Sequence, residues 1–172
     1  MDHLVLTIIA DDQPGLVERV AQCVNAQGGN WLESRLARMA GPFAGIVRVE
    51  VPADKHAGLV ADLEALSRQG IRVLFAAGGP EPARTWTPIL LDLVGNDRPG
   101  IVRDISRLLA ELGVNLESLD TEVSPAPMSS DLLFHAEARL ALPPAVSLET
   151  LQARLEALAD DLMVELNLRP EG

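Results

Sequence analysis

Asp12-Gln13-Pro14-Gly15-Leu16-Val17 and Asp97-Arg98-Pro99-Gly100-Ile101-Val102 are two copies of one motif. Each copy follows an apolar run, Leu4 to Ile9 or Ile89 to Val94, and opens an amphipathic segment. The copies lie 85 residues apart, and the offset persists: Leu6 matches Leu91, Gly28 matches Gly113, Asn30 matches Asn115. A repeat this long exceeds the ~20–50 residues of solenoid units. It describes two copies of one small domain.

Working outward from the first copy, residues 3–10 are apolar enough for a strand covered on both faces. A helix over 14–27 sets Leu16, Val17, Val20, Cys23 and Val24 on one face. Pro14 suits the first helical turn, where its missing donor costs nothing, and Gly28-Gly29 ends the helix. Strands follow at 30–40 and 44–51, separated by the Gly41-Pro42 turn. A helix over 54–69 ends at Gly70, and a short strand spans 71–75. The second copy predicts the same order: strand 88–95, helix 99–112, strands 115–123 and 132–142, helix 147–160, strand 162–168.

The order βαββαβ, used twice, predicts an α+β chain of two tandem ferredoxin-like modules. Each would be a four-stranded antiparallel sheet with two helices on one face. The first module is expected at 1–76 and the second at 88–172. Between them, 77–87 is rich in glycine and proline and reads as a linker.

The charge sets limits on partners. The formal net charge is −11, with 10 acids against 7 bases in residues 1–83 and 15 against 7 in 84–172. Neither half has the basic excess that drives phosphate binding, so direct nucleic-acid contact is not expected. No apolar run reaches the ~20 residues that span a bilayer, and Met1-Asp2-His3-Leu4 lacks a basic signal region. A lone cysteine, Cys23, permits no internal disulfide, so a reducing cytoplasm is the expected location.

No nucleophile elbow, phosphate-binding loop, Cys-x-x-Cys or His-Glu-x-x-His pattern occurs. His3, His56 and His135 are scattered and read as structural or solvated, and Cys23 reads as a small core residue. We therefore expect no catalytic residues, no metal site, no cofactor and no enzyme activity.

The repeated loop has its own chemistry. It joins a strand to a helix whose first N–H groups lack intrahelical acceptors. Gly15 and Gly100 keep those donors accessible, and the helix dipole favours a carboxylate there. Asp12 or Asp97 would meet the ammonium of the same ligand, which describes an α-amino acid. The competing reading makes the aspartates plain helix N-caps.

At these residues the chain resembles the ACT domain family of βαββαβ modules, marked by Asp/Asn-x-Pro-Gly-Leu/Ile-Val/Leu after the first strand. Gly28-Gly29-Asn30 and Gly113-Val114-Asn115 match the family's helix-to-strand passage. Within the family, Asn30-Trp31-Leu32-Glu33-Ser34-Arg35, Phe43-Ala44-Gly45 and Phe134-His135-Ala136-Glu137-Ala138 resemble the glycine cleavage system transcriptional repressor group. The resemblance implies a cytoplasmic regulator that senses a small amino acid, glycine favoured, and contacts a DNA-binding transcription activator. Self-association into a homo-oligomer is compatible with it.

In amino-acid-binding relatives the ligand lies between modules, touched by one motif loop and a second-strand asparagine. Carried over, this nominates Asp12, Gln13, Gly15 and Leu16 with Asn30, and Asp97, Arg98, Gly100 and Ile101 with Asn115. Serine-binding relatives carry Asn at the motif's first position and His two residues earlier, where this chain has Asp12, Asp97, Ala10 and Gly95. An aspartate favours the ammonium and repels the carboxylate, so either a different ligand orientation or loss of binding follows. Trp31-Leu32-Glu33-Ser34 against Leu116-Glu117-Ser118 also implies one inserted residue in the first copy. A ligand-independent protein-interaction module in amino-acid metabolism is the alternative.

Overall fold

The computed structural model describes residues 1–80 and 83–171. Two compact units divide the chain, Met1–Pro82 and Ala83–Gly172. The first contains β1 (Asp2–Asp11), α1 (Leu16–Ala26), β2 (Asn30–Arg38), β3 (Pro42–Val51), α2 (His56–Ala65) and β4 (Arg72–Ala77). The second contains β5 (Thr87–Asn96), α3 (Ile101–Glu111), β6 (Asn115–Pro125), β7 (Leu132–Leu142), α4 (Leu148–Leu162) and β8 (Val164–Pro170). Each unit is a four-stranded antiparallel sheet, ordered β2-β3-β1-β4 or β6-β7-β5-β8.

Alternation and helical period explain the cores. Leu4, Leu6, Ile8, Val47, Val49 and Val51 point to one side of the first sheet and meet Leu16, Val20, Val24, Leu59 and Leu63. The second unit repeats this with Ile89, Leu91, Leu93, Ala138 and Leu140 against Ile101, Ile105, Leu109, Leu151 and Leu155. Each fully buried large side chain contributes roughly 1.5–3 kcal/mol.

Several boundaries differ from expectation. The helix expected over 54–69 is α2 flanked by short 3-10 turns at Ala53–Lys55 and Leu66–Gln69. Val17, expected on the apolar face of α1, is 43% exposed. The buried stripe runs through Leu16, Val20 and Val24, and the next residue turns about 100° away from it. The expected linker begins inside β4, where Ala77 pairs with Leu4, and ends inside β5, where Thr87 pairs with Leu142. Its residues 81 and 82 lie outside the described residues.

The inferred one-residue insertion in the second strand is not there. Both strands carry a β-bulge at the same offset, between Trp31 and Glu33 and between Leu116 and Ser118. The extra residue is Leu32 in one copy and Glu117 in the other, so the 85-residue correspondence survives. The bulge lets Trp31 and Leu36 both face the core, which strict alternation forbids. The copies first part company at the following hairpin. Asp11 faces Pro42 whereas Asn96 faces Leu133, so the offset has grown to 91 at β3 and β7.

Candidate functional site

The motif loops connect β1 to α1 and β5 to α3. Gly15 (φ +89°) and Gly100 (φ +93°) are the N-caps, both in the left-handed region that glycine adopts without strain. Their carbonyls start the helices by accepting from Arg19 N at 3.0 Å and Asp104 N at 2.9 Å. Neither helix has a side-chain cap. The competing reading of Asp12 and Asp97 as helix N-caps gives way to glycine caps, which leave the first N–H groups without intrahelical or side-chain acceptors. In contrast, α4 is capped by Ser147 Oγ, which accepts from Thr150 N at 3.1 Å.

Asp12, Gln13 and Gly15 are exposed in the first loop, as are Asp97 and Arg98 in the second; Gly100 is half-buried. Leu16 and Ile101, nominated as ligand contacts, bury their side chains in the cores, so only their backbone is available at the loop. Asn30 and Asn115 are exposed, but they stand at the wrong end of their own modules. Asn30 faces Glu50, which also faces His3 at the start of β1. The motif loop leaves the other end of β1, beside Arg38. Eight residue steps along β2 separate Asn30 from Arg38, about 26 Å at strand rise. Asn115, facing Ala141 opposite Pro88, is placed likewise. One module thus does not bring its own loop and asparagine together.

The two loops differ electrostatically. Arg38 Nε lies 3.3 Å from Asp12 Oδ2, which neutralises the first aspartate. Position 38 corresponds to Val123 in the second copy, and no ion pair to Asp97 occurs among the described residues. Glu18 of α1 corresponds to Arg103 of α3. The Arg103 guanidinium lies over Gly100, with Nη2 3.0 Å from where a Cβ would stand. A cation at a helix start opposes the dipole, and Asp104 offsets this through Arg103 Nε at 3.1 Å. Loop two therefore holds an acid with no ion pair among the described residues, a guanidinium bound to Asp104, and N–H donors without a side-chain cap. Sequence reasoning missed Arg38 and Arg103. The second could have been found from the Glu18-to-Arg103 difference between otherwise aligned copies.

Among the other polar groups, His56 Nδ1 lies 2.7 Å from Asp2 Oδ2, and His135 Nε2 lies 2.8 Å from Asp92 Oδ1. The Asp92 hydrogen bond raises the His135 pKa above its ordinary value; partial burial opposes this, and the charges of Asp92, Glu137 and Glu122 add to it. Burial pushes the Cys23 thiol up, and the Asp62 charge acts in the same direction. Cys23 is half-buried against the first core, close to the expected core position. No helix of the described residues is long and apolar enough to cross a membrane.

A ferredoxin-like frame used twice, with a glycine-capped loop opening the first helix of each copy, defines a tandem small-module protein. Family models described as ACT domain match residues 2–75 and 89–160, and the chain belongs to that family. A crystal structure of a protein from Galdieria sulphuraria is 25% identical over 99% of both chains, with a TM-score of 0.87. A protein described as a proposed glycine cleavage system transcriptional repressor is 21% identical, over 99% of this chain and 97% of that one, with a TM-score of 0.71. This second likeness establishes a shared fold. No curated protein matches the sequence.

Proposed function

We propose that the chain is a non-enzymatic, amino-acid-responsive regulator built of these two modules. The observation that carries this is the second motif loop. Asp97 before the helix, Arg103 with its Asp104 partner, and the uncapped donors of α3 put acidic, basic and N–H groups on one loop-to-helix passage. An α-amino acid carries the complementary ammonium and carboxylate, and the Arg–carboxylate contact is the stronger kind of hydrogen bond. Glycine is the favoured guest because of the likeness to the glycine cleavage repressor group. The first loop, with Asp12 neutralised and Glu18 at its helix start, is the weaker site.

The regulatory output we propose is contact with a DNA-binding transcription activator controlling glycine cleavage, in the cytoplasm. The acidic net charge supports an indirect route that leaves nucleic acid to the partner. Calorimetry across the common amino acids, glycine first, tests the sensing step. Binding is expected, and Asp97→Asn or Arg103→Ala should each weaken it by about 1–3 kcal/mol. Silence for every amino acid would overturn it.

A ligand-independent interaction module is the second reading. It is favoured by the apolar open face of the first sheet, where Ile46 is 51% and Leu74 71% exposed. Capture of a partner from extract that is indifferent to added glycine would select this reading.

A further inference from the structure

The face of the second sheet turned away from its helices carries a group of donors drawn from three strands. Asp92 on β5 faces Glu137 on β7, and His135 projects from the same side of β7 two residues earlier. Glu122 on β6 faces His135 from the other flank. One donor atom each from Asp92, His135 and Glu137 lies within 4.8 Å of the other two. His135 Nε2 is 2.8 Å from Asp92 Oδ1 and 3.9 Å from Glu137 Oε1, and its Nδ1 is 3.9 Å from Glu122 Oε1.

We propose that Asp92, His135 and Glu137 bind a divalent first-row transition cation of the zinc class on this face. Three arguments support the assignment. First, His135 is the one basic group paired with these acids among the described residues. Among the described residues no lysine or arginine pairs with Asp92, Glu122 or Glu137, while the nearby Arg139 is engaged by Glu171 at 2.9 Å and Glu117 at 3.8 Å.

Second, the fold does not require these residues. The corresponding positions in the first sheet are Thr7 facing Ile46, with Ala44 facing Ile9 on one side and Ala37 on the other. An equivalent sheet forms there without one donor of the set. The cluster is therefore a property of the second copy and not of the frame.

Third, the donors suit such a cation. One imidazole and two carboxylates match zinc-like ions better than calcium or magnesium, which take oxygen ligands. Tetrahedral zinc separates its donors by roughly 3.3 Å, between the 2.8 and 3.9 Å found around Nε2. Glu122, 3.9 Å from Nδ1, adds a further carboxylate charge beside the ring. An open polar depression of about 270 Å³ borders Asp92 and Glu137 and leaves room for water ligands. With Asp92 47% and Glu137 65% exposed at the side chain, the site is accessible and exchangeable.

Zinc chloride titrated calorimetrically into the tag-free, chelator-treated full chain tests this. One saturable site is expected. His135→Gln and Asp92→Asn should each weaken it at least tenfold, whereas His56→Gln, which breaks the other histidine–aspartate pair, should leave it intact. Circular dichroism of each variant establishes that it is folded. Absence of saturable binding, or binding that survives both His135→Gln and Asp92→Asn in folded protein, overturns the proposal.

Discussion

The two sheets present opposite chemistry on their open faces from the same register. In the first, Thr7 lies between Ile46 and Leu74; in the second, Asp92 lies between Glu137 and Asn167. The helix-facing sides stay alike, with Leu6 and Val47 replaced by Leu91 and Ala138. Packing against helices restricts one side of each strand to apolar residues, while the other side answers only to solvent or partners. Duplication thus preserved the frame and released the open face. The excess of acids in residues 84–172 becomes, in part, a property of one surface.

The sharpest way to break the comparison is at a core-side position where the copies diverge. Gly45 corresponds to Ala136. A Cβ on Gly45 would run into the Arg35 carbonyl oxygen and stand 2.8 Å from Leu36 Cδ2. Leu36 faces Gly45 across the β2–β3 pair, and Thr121 faces Ala136 at the matching place in the second sheet. Gly45→Ala should destabilise by about 3 kcal/mol, and Ala136→Gly by about 1 kcal/mol. Urea denaturation of both variants reads the difference. Equal losses would mean that the two β-hairpins are packed alike.

A smaller effect is expected where Trp31 corresponds to Leu116. Trp31 and Leu116 each pack against their own core, but Leu116 also lines an apolar cleft with Ile101, Val102, Ile105 and Leu119. Trp31→Leu removes packing from a half-buried site and should cost about 1–2 kcal/mol. Leu116→Trp enters a cleft that can accept it and should change stability by less than about 1 kcal/mol. Thermal unfolding of the pair tests this, and a Leu116→Trp loss as large as that of Trp31→Leu would deny the cleft.

Element order and core faces were legible because each rests on local period. Leu16, Val20 and Val24 at helical spacing, and Val47, Val49 and Val51 at strand spacing, report their buried sides directly. The bulges were not, since one extra residue at Leu32 or Glu117 mimics an insertion when two copies are aligned by residue type. The motif loops were legible as strand-to-helix turns, but their charge partners were not. Arg38 reaches Asp12 only because a hairpin returns to the end of β1. Asp92 and His135, 43 residues apart, meet only through pairing of β5 with β7. The remoteness of Asn30 from its own loop is likewise a consequence of strand direction, invisible to residue spacing.

The smallest stability effect separates the motif aspartates themselves. Asp12 and Arg38 form an exposed pair, with side chains 40% and 67% accessible, and such pairs contribute little in screened solvent. Asp12→Asn should therefore lower stability by no more than about 0.5 kcal/mol, an effect that added salt removes. Asp97→Asn breaks no ion pair among the described residues and should change stability by less still. The order reverses for amino-acid affinity, because the paired Asp12 must give up Arg38 to meet an ammonium and Asp97 need not. Paired denaturation and calorimetry on the two variants measure both orders. A larger affinity loss from Asp12→Asn would transfer the favoured site to the first loop and show that Arg38 orients the carboxylate more than it neutralises it.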